Sequence, residues 1–385
     1  MSTTAHALLS PSSSHRWLNC TPSARLEENV EDRGSEFAEQ GTCAHALCEC
    51  KLRHLLGKET KESIEEYQAL RDKWYDNEMD VCTDDYVEIV WNKYQTALKT
   101  DPRAQLLIEQ KLDFSSWIPG SFGTADAEVV TEQTLEVIDF KYGKGVEVSA
   151  VKNTQMMIYA LGALGDYDLD YDIRDVRMTI VQPRLHNISE WSISTDELRE
   201  WADTTLMERA KMAYEGKGEQ KAGDWCKFCK VKARCAVLAN EALATYTQHT
   251  DKTLISDDDM PGVLGLIPAI KSWCTAVEDY ATAMAIDGHR WKGFKLVEGR
   301  SVRKVTDVEG LSDVLQSAGY KEIYKPSELR PIGELEKYVG KKTFAQLSAG
   351  FIEKPVGKPT LVSEDDKRPE INVNTAVEDF KDVIV

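Results

Sequence analysis

Apolar residues alternate with polar ones from Gln105 to Tyr142, and recur at intervals of three and four in the segments on either side. Ser35 to roughly Thr100 therefore reads as helical, with charged faces between apolar stripes. Three strand-like segments follow up to Tyr142, separated by Pro119-Gly120 and by Thr131-Glu132-Gln133. Gly143-Lys144-Gly145 marks a turn, and a helix is predicted from about Val151 to Leu164. Arg174 to Pro183 is the next strand, Ile188 to Ile193 pairs with it as a hairpin, and Thr195 to Tyr214 reads as a helix capped by Thr195.

Beyond Cys235 the pattern thins. Helices are predicted over Val237 to Thr247 and from about Asp257 to Ile286, with short helices at Val308–Ser317 and Thr343–Leu347. The stretch from Lys354 is rich in proline and charge and is expected to be extended; residues 373–385 are either a frayed terminus or a short acidic, apolar peptide that docks on a partner. The expected divisions are an N-terminal segment 1–34, a helical region 35–103, a core 104–250, an accessory region 251–353 and an extended or flexible tail 354–385.

The 42% hydrophobic and 29% charged residues are those of an ordinary globular protein, and the net charge of −18 excludes a generally basic nucleic-acid-coating protein while leaving room for a local basic groove. No signal peptide and no apolar stretch long enough to span a membrane are read, so a reducing cytoplasm is the expected setting, with the 9 cysteines free of disulfides. Cys226-x2-Cys229-x5-Cys235 has the spacing of a metal centre one ligand short, and Cys20 is the expected fourth. Cys43, Cys48, Cys50, Cys82 and Cys274 fall inside helical patterns and are expected to be small buried hydrophobes.

Asp139 and Lys141 are two apart, so on a strand their side chains leave one face while Phe140 points into a core. Asp126 and Glu109 can add carboxylates. Cutting a phosphodiester needs a held divalent metal, a nucleophilic water and positive charge where the phosphorane develops. Asp126, Asp139 and Glu109 suit a hard cation, and Lys141 suits the water or the developing charge. An Asp-x-Lys alone is equally the solvated face of a strand; its apolar setting, the preceding Gly123-Thr124-Ala125-Asp126 and the following turn and helix favour the site.

Taken together, Gly41-x3-His45, Gly123-x2-Asp126, Asp139-Phe140-Lys141 and Gln155-x3-Tyr159 resemble, in order and spacing, the RecB-like branch of the PD-(D/E)xK nuclease superfamily. The resemblance covers roughly Ser10 to Cys235. It implies an α/β restriction-endonuclease-like core, a mixed central sheet flanked by helices, with an N-terminal helical insertion and a C-terminal accessory region. It further implies metal held by His45, Asp126, Asp139 and the Phe140 carbonyl, and Gln155 and Tyr159 either touching nucleic acid or bracing the site. One cysteine before these motifs and three after them are similar to the iron-sulfur subset of the family, such as AddB-type subunits and CRISPR-associated RecB-like exonucleases, which implies a [4Fe-4S] cluster; Zn²⁺ is the alternative.

The expected function is a Mg²⁺- or Mn²⁺-dependent DNA exonuclease of phage or mobile-element type, acting on single strands or ends in recombination or replication. A phage single-strand-binding or annealing protein is an expected partner, since no P-loop for strand separation is read. The rival is a non-catalytic scaffold that binds DNA ends. Two basic stretches could line a groove: Lys227, Lys230, Lys232 and Arg234 among the cysteines, and His289 to Lys295 through Arg300, Arg303 and Lys304.

Overall fold

The computed structural model describes residues 7–30, 34–167, 170–247, 257–258, 260–299, 303–325, 328–353, 357–363 and 368–371. The chain divides into two units, Met1–Trp273 and Cys274–Val385. The division lies inside one helix, Met260–Ile286, and not at residue 250 as the sequence pattern suggested.

The first unit opens with two short helices, α1 (Ser14–Asn19) and α2 (Ser23–Glu27), followed by three longer ones, α3 (Glu36–Leu56), α4 (Lys61–Trp74) and α5 (Asn77–Thr100). Local chemistry sets their ends. The side chain of Ser35 caps Ala38 N and starts α3, Gly57 ends it at φ 63, and Asp76 caps Met79 N to start α5. A five-stranded sheet follows: β1 (Gln105–Asp113), β2 (Phe122–Val130), β3 (Thr134–Phe140), β4 (Asp175–Gln182) and β5 (Asn187–Ser194), in that spatial order. All neighbours are antiparallel except β3 and β4, which run parallel across the connecting helix α6 (Thr154–Tyr167).

The sheet has a hydrophobic cluster on each face. Cys43, Leu47 and Cys48 of α3 and Tyr86 and Val90 of α5 pack on Leu106, Ile108, Ile138 and Phe140. On the other face Met156, Tyr159 and Ala163 of α6 pack with Leu112, Phe114, Leu135 and Val137, and Trp17 of α1 joins them. Cys43, Cys48 and Cys82 are buried as expected, Cys50 is half-buried, and Cys274 is exposed, against its predicted core position.

The predicted helix from Thr195 is α7 (Thr195–Trp201), a π turn at Ala202–Leu206, and α8 (Met207–Glu215). Its cap is Ser194, not Thr195: Ser194 and Glu197 form a reciprocal capping box, while the Thr195 hydroxyl donates to the Ile173 carbonyl. Helices α9 (Ala236–Thr247) and α10 (Met260–Ile286) follow the cysteine segment. Contrary to the sequence expectation, α10 is long and apolar enough to cross a membrane by length and composition, with a mean hydropathy of 1.3; its few charged residues are too sparse to break the run.

In the second unit, helices Val308–Ser317, Ile332–Val339 and Lys341–Leu347 enclose a small core of Leu311, Leu315, Ile323, Leu335, Val339 and Phe344. Strand Phe294–Gly299 pairs with Gly357–Ser363, so this part of the tail, expected to be extended, is extended and paired. Residues 373–385 and Arg300 lie outside the described residues.

Candidate metal centre

One backbone irregularity places the acidic residues. Glu109 has φ 50, the left-handed region that a glutamate rarely enters. Before it, Leu106 and Ile108 face the α3 and α5 cluster; after it, Leu112 and Phe114 face the α6 cluster. The register puts Glu109 opposite Asp126, between the pairs Ile108↔Ala127 and Gln110↔Ala125. On β2 the same crossover appears, since Ala127 and Val129 face α3 and α5 while Ala125 faces α6. A change of face at this rung lets carboxylates of neighbouring strands meet.

Pairing of β2 with β3 stops at Ala127↔Ile138, so Asp126 and Asp139 occupy the next rung, where the ladder has ended. Asp126 Oδ2 accepts the Phe140 N–H at 2.7 Å, substituting for the missing backbone partner. His45 on α3 brings Nδ1 to 3.2 Å from Asp126 Oδ1. Among the described residues, His45, Glu109 and Asp126 each offer one ligand atom within 4.8 Å of the others. Lys141 Nζ lies 3.0 Å from Asp139.

Helix α6 supplies the other wall. The Asn153 side chain accepts from Gln155 N and Met156 N and sets the first turn. Gln155 Nε2 then donates to Asp139 Oδ1 at 3.2 Å, its Oε1 accepts from Lys141 at 3.2 Å, and Tyr159 OH lies 3.4 Å from Nε2. Gln155 therefore links Asp139 and Lys141, and Tyr159 reaches them only through Gln155. Gly123 has its own reason to be glycine: a Cβ there would stand 3.2 Å from both the Tyr159 and Phe114 rings. Beside Gly41, one turn before His45, a Cβ would meet open space.

The electrostatics are those of crowded carboxylates. Burial, reinforced by the charge of Asp126, pushes Glu109 up to about 8. Burial also raises Asp139, with Lys141 offsetting only part of it. Asp126 is lowered, because His45, Lys141 and the Phe140 N–H outweigh its burial. Burial works against a charged His45, yet Asp126, Glu109 and Asp139 lift it to about 9. Lys141 is raised as Asp139 and Asp126 overcome its desolvation. Asp139 Oδ2 is buried and, although near Lys141 Nζ, accepts no hydrogen bond of good geometry. Protonation is thus favoured at His45, Lys141, Glu109 and Asp139, while Asp126 keeps its negative charge among them.

The four expected cysteine ligands share a cavity, but among the described residues they do not form a group of close ligand atoms as His45, Glu109 and Asp126 do. Cys20, Cys226, Cys229 and Cys235 line one cavity, with Arg16 and Lys232 among its walls. Burial, with the nearby Glu27 charge, pushes the Cys229 thiol up to about 12, and burial raises Cys226. The N-terminal segment is tied to this loop by contacts that the sequence did not reveal. Arg16 pairs with the buried Glu27 at 2.7 Å and donates to the Phe228 carbonyl, and Glu27 accepts from Lys230 N. Thr21 and Arg25 bond the carbonyls of Lys217 and Tyr214.

Of the basic stretches, Lys227 lies over the Phe228 ring and Lys232 donates to the Lys227 carbonyl. In the second unit Trp291 is tied by Nε1 to the Ala281 carbonyl, whereas Phe294 is exposed. Gln182 and Asn187 were also missed from sequence. Gln182 accepts from Val148 N and Asn187 and donates to the Val146 carbonyl, pinning the loop after β3.

Fold and site together define a mixed α/β protein, a five-stranded mixed sheet flanked by helices, with an acidic, histidine-bearing centre able to hold a cation. The chain belongs to the DUF2800 family, described as a protein of unknown function, whose pattern matches residues 6–369. Among solved structures, one described as "Putative exonuclease" from Eubacterium rectale aligns with 58% of this chain and 86% of its own, at 10% identity and a TM-score of 0.34. The protein SSO0001 aligns with 58% of this chain and 96% of its own, at 13% identity and a TM-score of 0.24. Neither likeness is close enough to bear on fold or activity.

Proposed function

We propose that the protein is a metal-dependent deoxyribonuclease with a PD-(D/E)xK-type core, an exonuclease acting on single-stranded DNA or DNA ends in phage recombination or replication. The observation that carries this reading is the row Glu109, Asp126 and Asp139 across three adjacent strands, with His45 beside Asp126 and Lys141 beside Asp139. His45, Glu109, Asp126, Asp139 and the Phe140 carbonyl would hold Mg²⁺ or Mn²⁺; the buried, unbonded Asp139 Oδ2 and the raised Glu109 fit such a guest. When bound, the metal supplies Lewis acidity and a more acidic water.

The chain's own residues do the rest. Lys141 holds an ammonium beside Asp139, where it can orient the attacking water or offset charge on the phosphorane. Gln155 fixes Asp139 and Lys141 relative to each other, and Tyr159 lies beside Gln155.

The test is digestion of end-labelled linear single-stranded DNA with Mn²⁺ or Mg²⁺. Wild type is expected to degrade it, with Lys141→Ala and Asp139→Asn slower by at least about 10²-fold. If wild type and Lys141→Ala bind ends alike and neither degrades DNA, the non-catalytic scaffold replaces this reading. Cleavage of closed circles would make it an endonuclease.

For the thiol cavity, a [4Fe-4S] cluster on Cys20, Cys226, Cys229 and Cys235 is the proposed occupant, with Zn²⁺ the alternative; either would cross-link the N-terminal segment to the cysteine loop. Anaerobically purified protein should carry iron and visible absorbance, both lost in Cys229→Ser. Protein with zinc and no iron would reverse the choice.

A further inference from the structure

Two cations near the metal centre share one carboxylate. Arg184, in the turn Pro183–Leu185 after β4, places its guanidinium 4.5 Å from the centre of the Tyr142 ring. Tyr142 directly follows Lys141, its ring lies 6.2 Å from that of Phe140, and Phe140 lies 5.2 Å from His45. Lys144 stands in the loop after β3. Both cations converge on Glu78 in the first turn of α5: Arg184 Nη2 is 2.7 Å from Oε2, and Lys144 Nζ is 2.9 Å from Oε1.

The arrangement is fixed on one side and open on the other. The Arg184 side chain is only 11% exposed, its Nε is buried with no hydrogen-bond partner, and its guanidinium lies over the Tyr142 ring. The loop carrying Lys144 is pinned to the end of β4 through Gln182. Glu78, by contrast, has a side chain 45% exposed. Its carboxylate lies between the two cations, Oε2 taking Arg184 and, at 3.2 Å, Lys144, with Oε1 2.9 Å from Lys144; a phosphodiester's anionic oxygens suit the same place, and guanidinium with ammonium is a common phosphate-binding pair. Glu78 stays ionised in this position, its two partners bringing it down to about 2.

We propose that Arg184 and Lys144 form a phosphate subsite for a nucleic-acid backbone entering the metal centre, and that Glu78 fills it as an internal competitor until a strand arrives. This rests on the nuclease reading for the identity of the ligand. The strand takes over cations already gathered and oriented, and the displaced carboxylate moves to solvent.

The test is fluorescence anisotropy of a labelled oligothymidylate of 20 nucleotides with the full chain in EDTA, so that binding is read without cleavage. Glu78→Gln should tighten binding by about 3- to 10-fold at low salt, as expected for removing one competing charge. Arg184→Ala and Lys144→Ala should each weaken it and lower the salt slope by about one. Glu78→Gln combined with Arg184→Ala should lose most of the gain. Unchanged or weaker binding by Glu78→Gln with native circular dichroism overturns the proposal. Should that variant fail to fold, an unchanged affinity and salt slope in Lys144→Ala, a substitution in an exposed loop, overturns it independently. Wild type that degrades DNA while these effects are absent sinks the subsite alone; wild type that neither binds the oligonucleotide nor degrades DNA sinks the nuclease reading with it.

Discussion

Asp126 and Phe140 face each other across the end of two strands, and the carboxylate of one takes the backbone N–H of the other at 2.7 Å. The same aspartate reaches His45 with its second oxygen, so one side chain both closes the sheet and begins the site. The two roles separate by mutation. Asp126→Ala leaves a buried amide without a partner and should cost about 1–3 kcal/mol, whereas Asp126→Asn keeps an acceptor and should lose clearly less. Both relieve the same charge crowding, so their difference in urea unfolding isolates the hydrogen bond. Equal losses would refute it.

Crowded carboxylates should make the fold respond to divalent cations. Mn²⁺ at about 100 times its dissociation constant is expected to add about 2.7 kcal/mol of stability, read as a rise in melting temperature that EDTA reverses. Glu109→Gln and Asp139→Asn should each reduce that rise. A rise of full size in both variants would place the cation elsewhere.

Gly162 on α6 packs against Phe114, and a Cβ there would lie 2.5 Å from the Phe114 ring. Phe114 is fully buried and cannot swing aside. Gly162→Ala is therefore expected to destabilise by about 1–3 kcal/mol despite the better helix propensity of alanine. Adding Phe114→Leu should return part of the loss; no recovery would locate the strain elsewhere.

Glu128 gives a pH dependence away from the metal centre. It is fully buried, accepts from Tyr167 OH at 3.1 Å, and burial pushes it up to about 7 from an ordinary 4.5. Between those values the folded chain binds more protons than the unfolded one, so stability falls as pH rises through the window and levels off above it. The loss is on the order of 3 kcal/mol when complete. Glu128→Gln should remove that slope, and urea midpoints from pH 4 to 8 for the two proteins compare it directly. Parallel curves would show that Glu128 does not titrate in this range.

Much of this site is legible in the sequence, because alternation and motif order depend on local steric rules. Phe140 in the core, Asp139 and Lys141 beside each other, and Gln155 with Tyr159 on one helix face all follow from periods of two and 3.6. The left-handed turn at Glu109 had no glycine or asparagine to announce it, since tertiary packing imposes it. The cap fell to Ser194 because the Thr195 hydroxyl was already engaged by Ile173. Gln182 and Arg184 gave no signal either, since their partners come from a distant loop and helix. The helix α10 is legible at nearly its full length, but Lys271, Glu278 and Asp279 within it kept its apolar content from reading as long enough to span a membrane.

The contacts of Arg16 and Glu27 with the cysteine loop have a consequence for the order of events during synthesis. Arg16 meets a carbonyl 212 residues downstream, and Glu27 an amide 203 residues downstream. Contacts so remote in sequence carry a large loop-closure entropy and form after the local ones that shorten the path between them. A nascent chain can pair its hairpins and dock α6, with Trp17 against it, long before Cys20 has the cysteine loop to close upon. Sealing the sulfur-lined cavity thus waits on the cysteine loop: a ribosome must release Lys230 before Arg16 and Glu27 find their downstream partners.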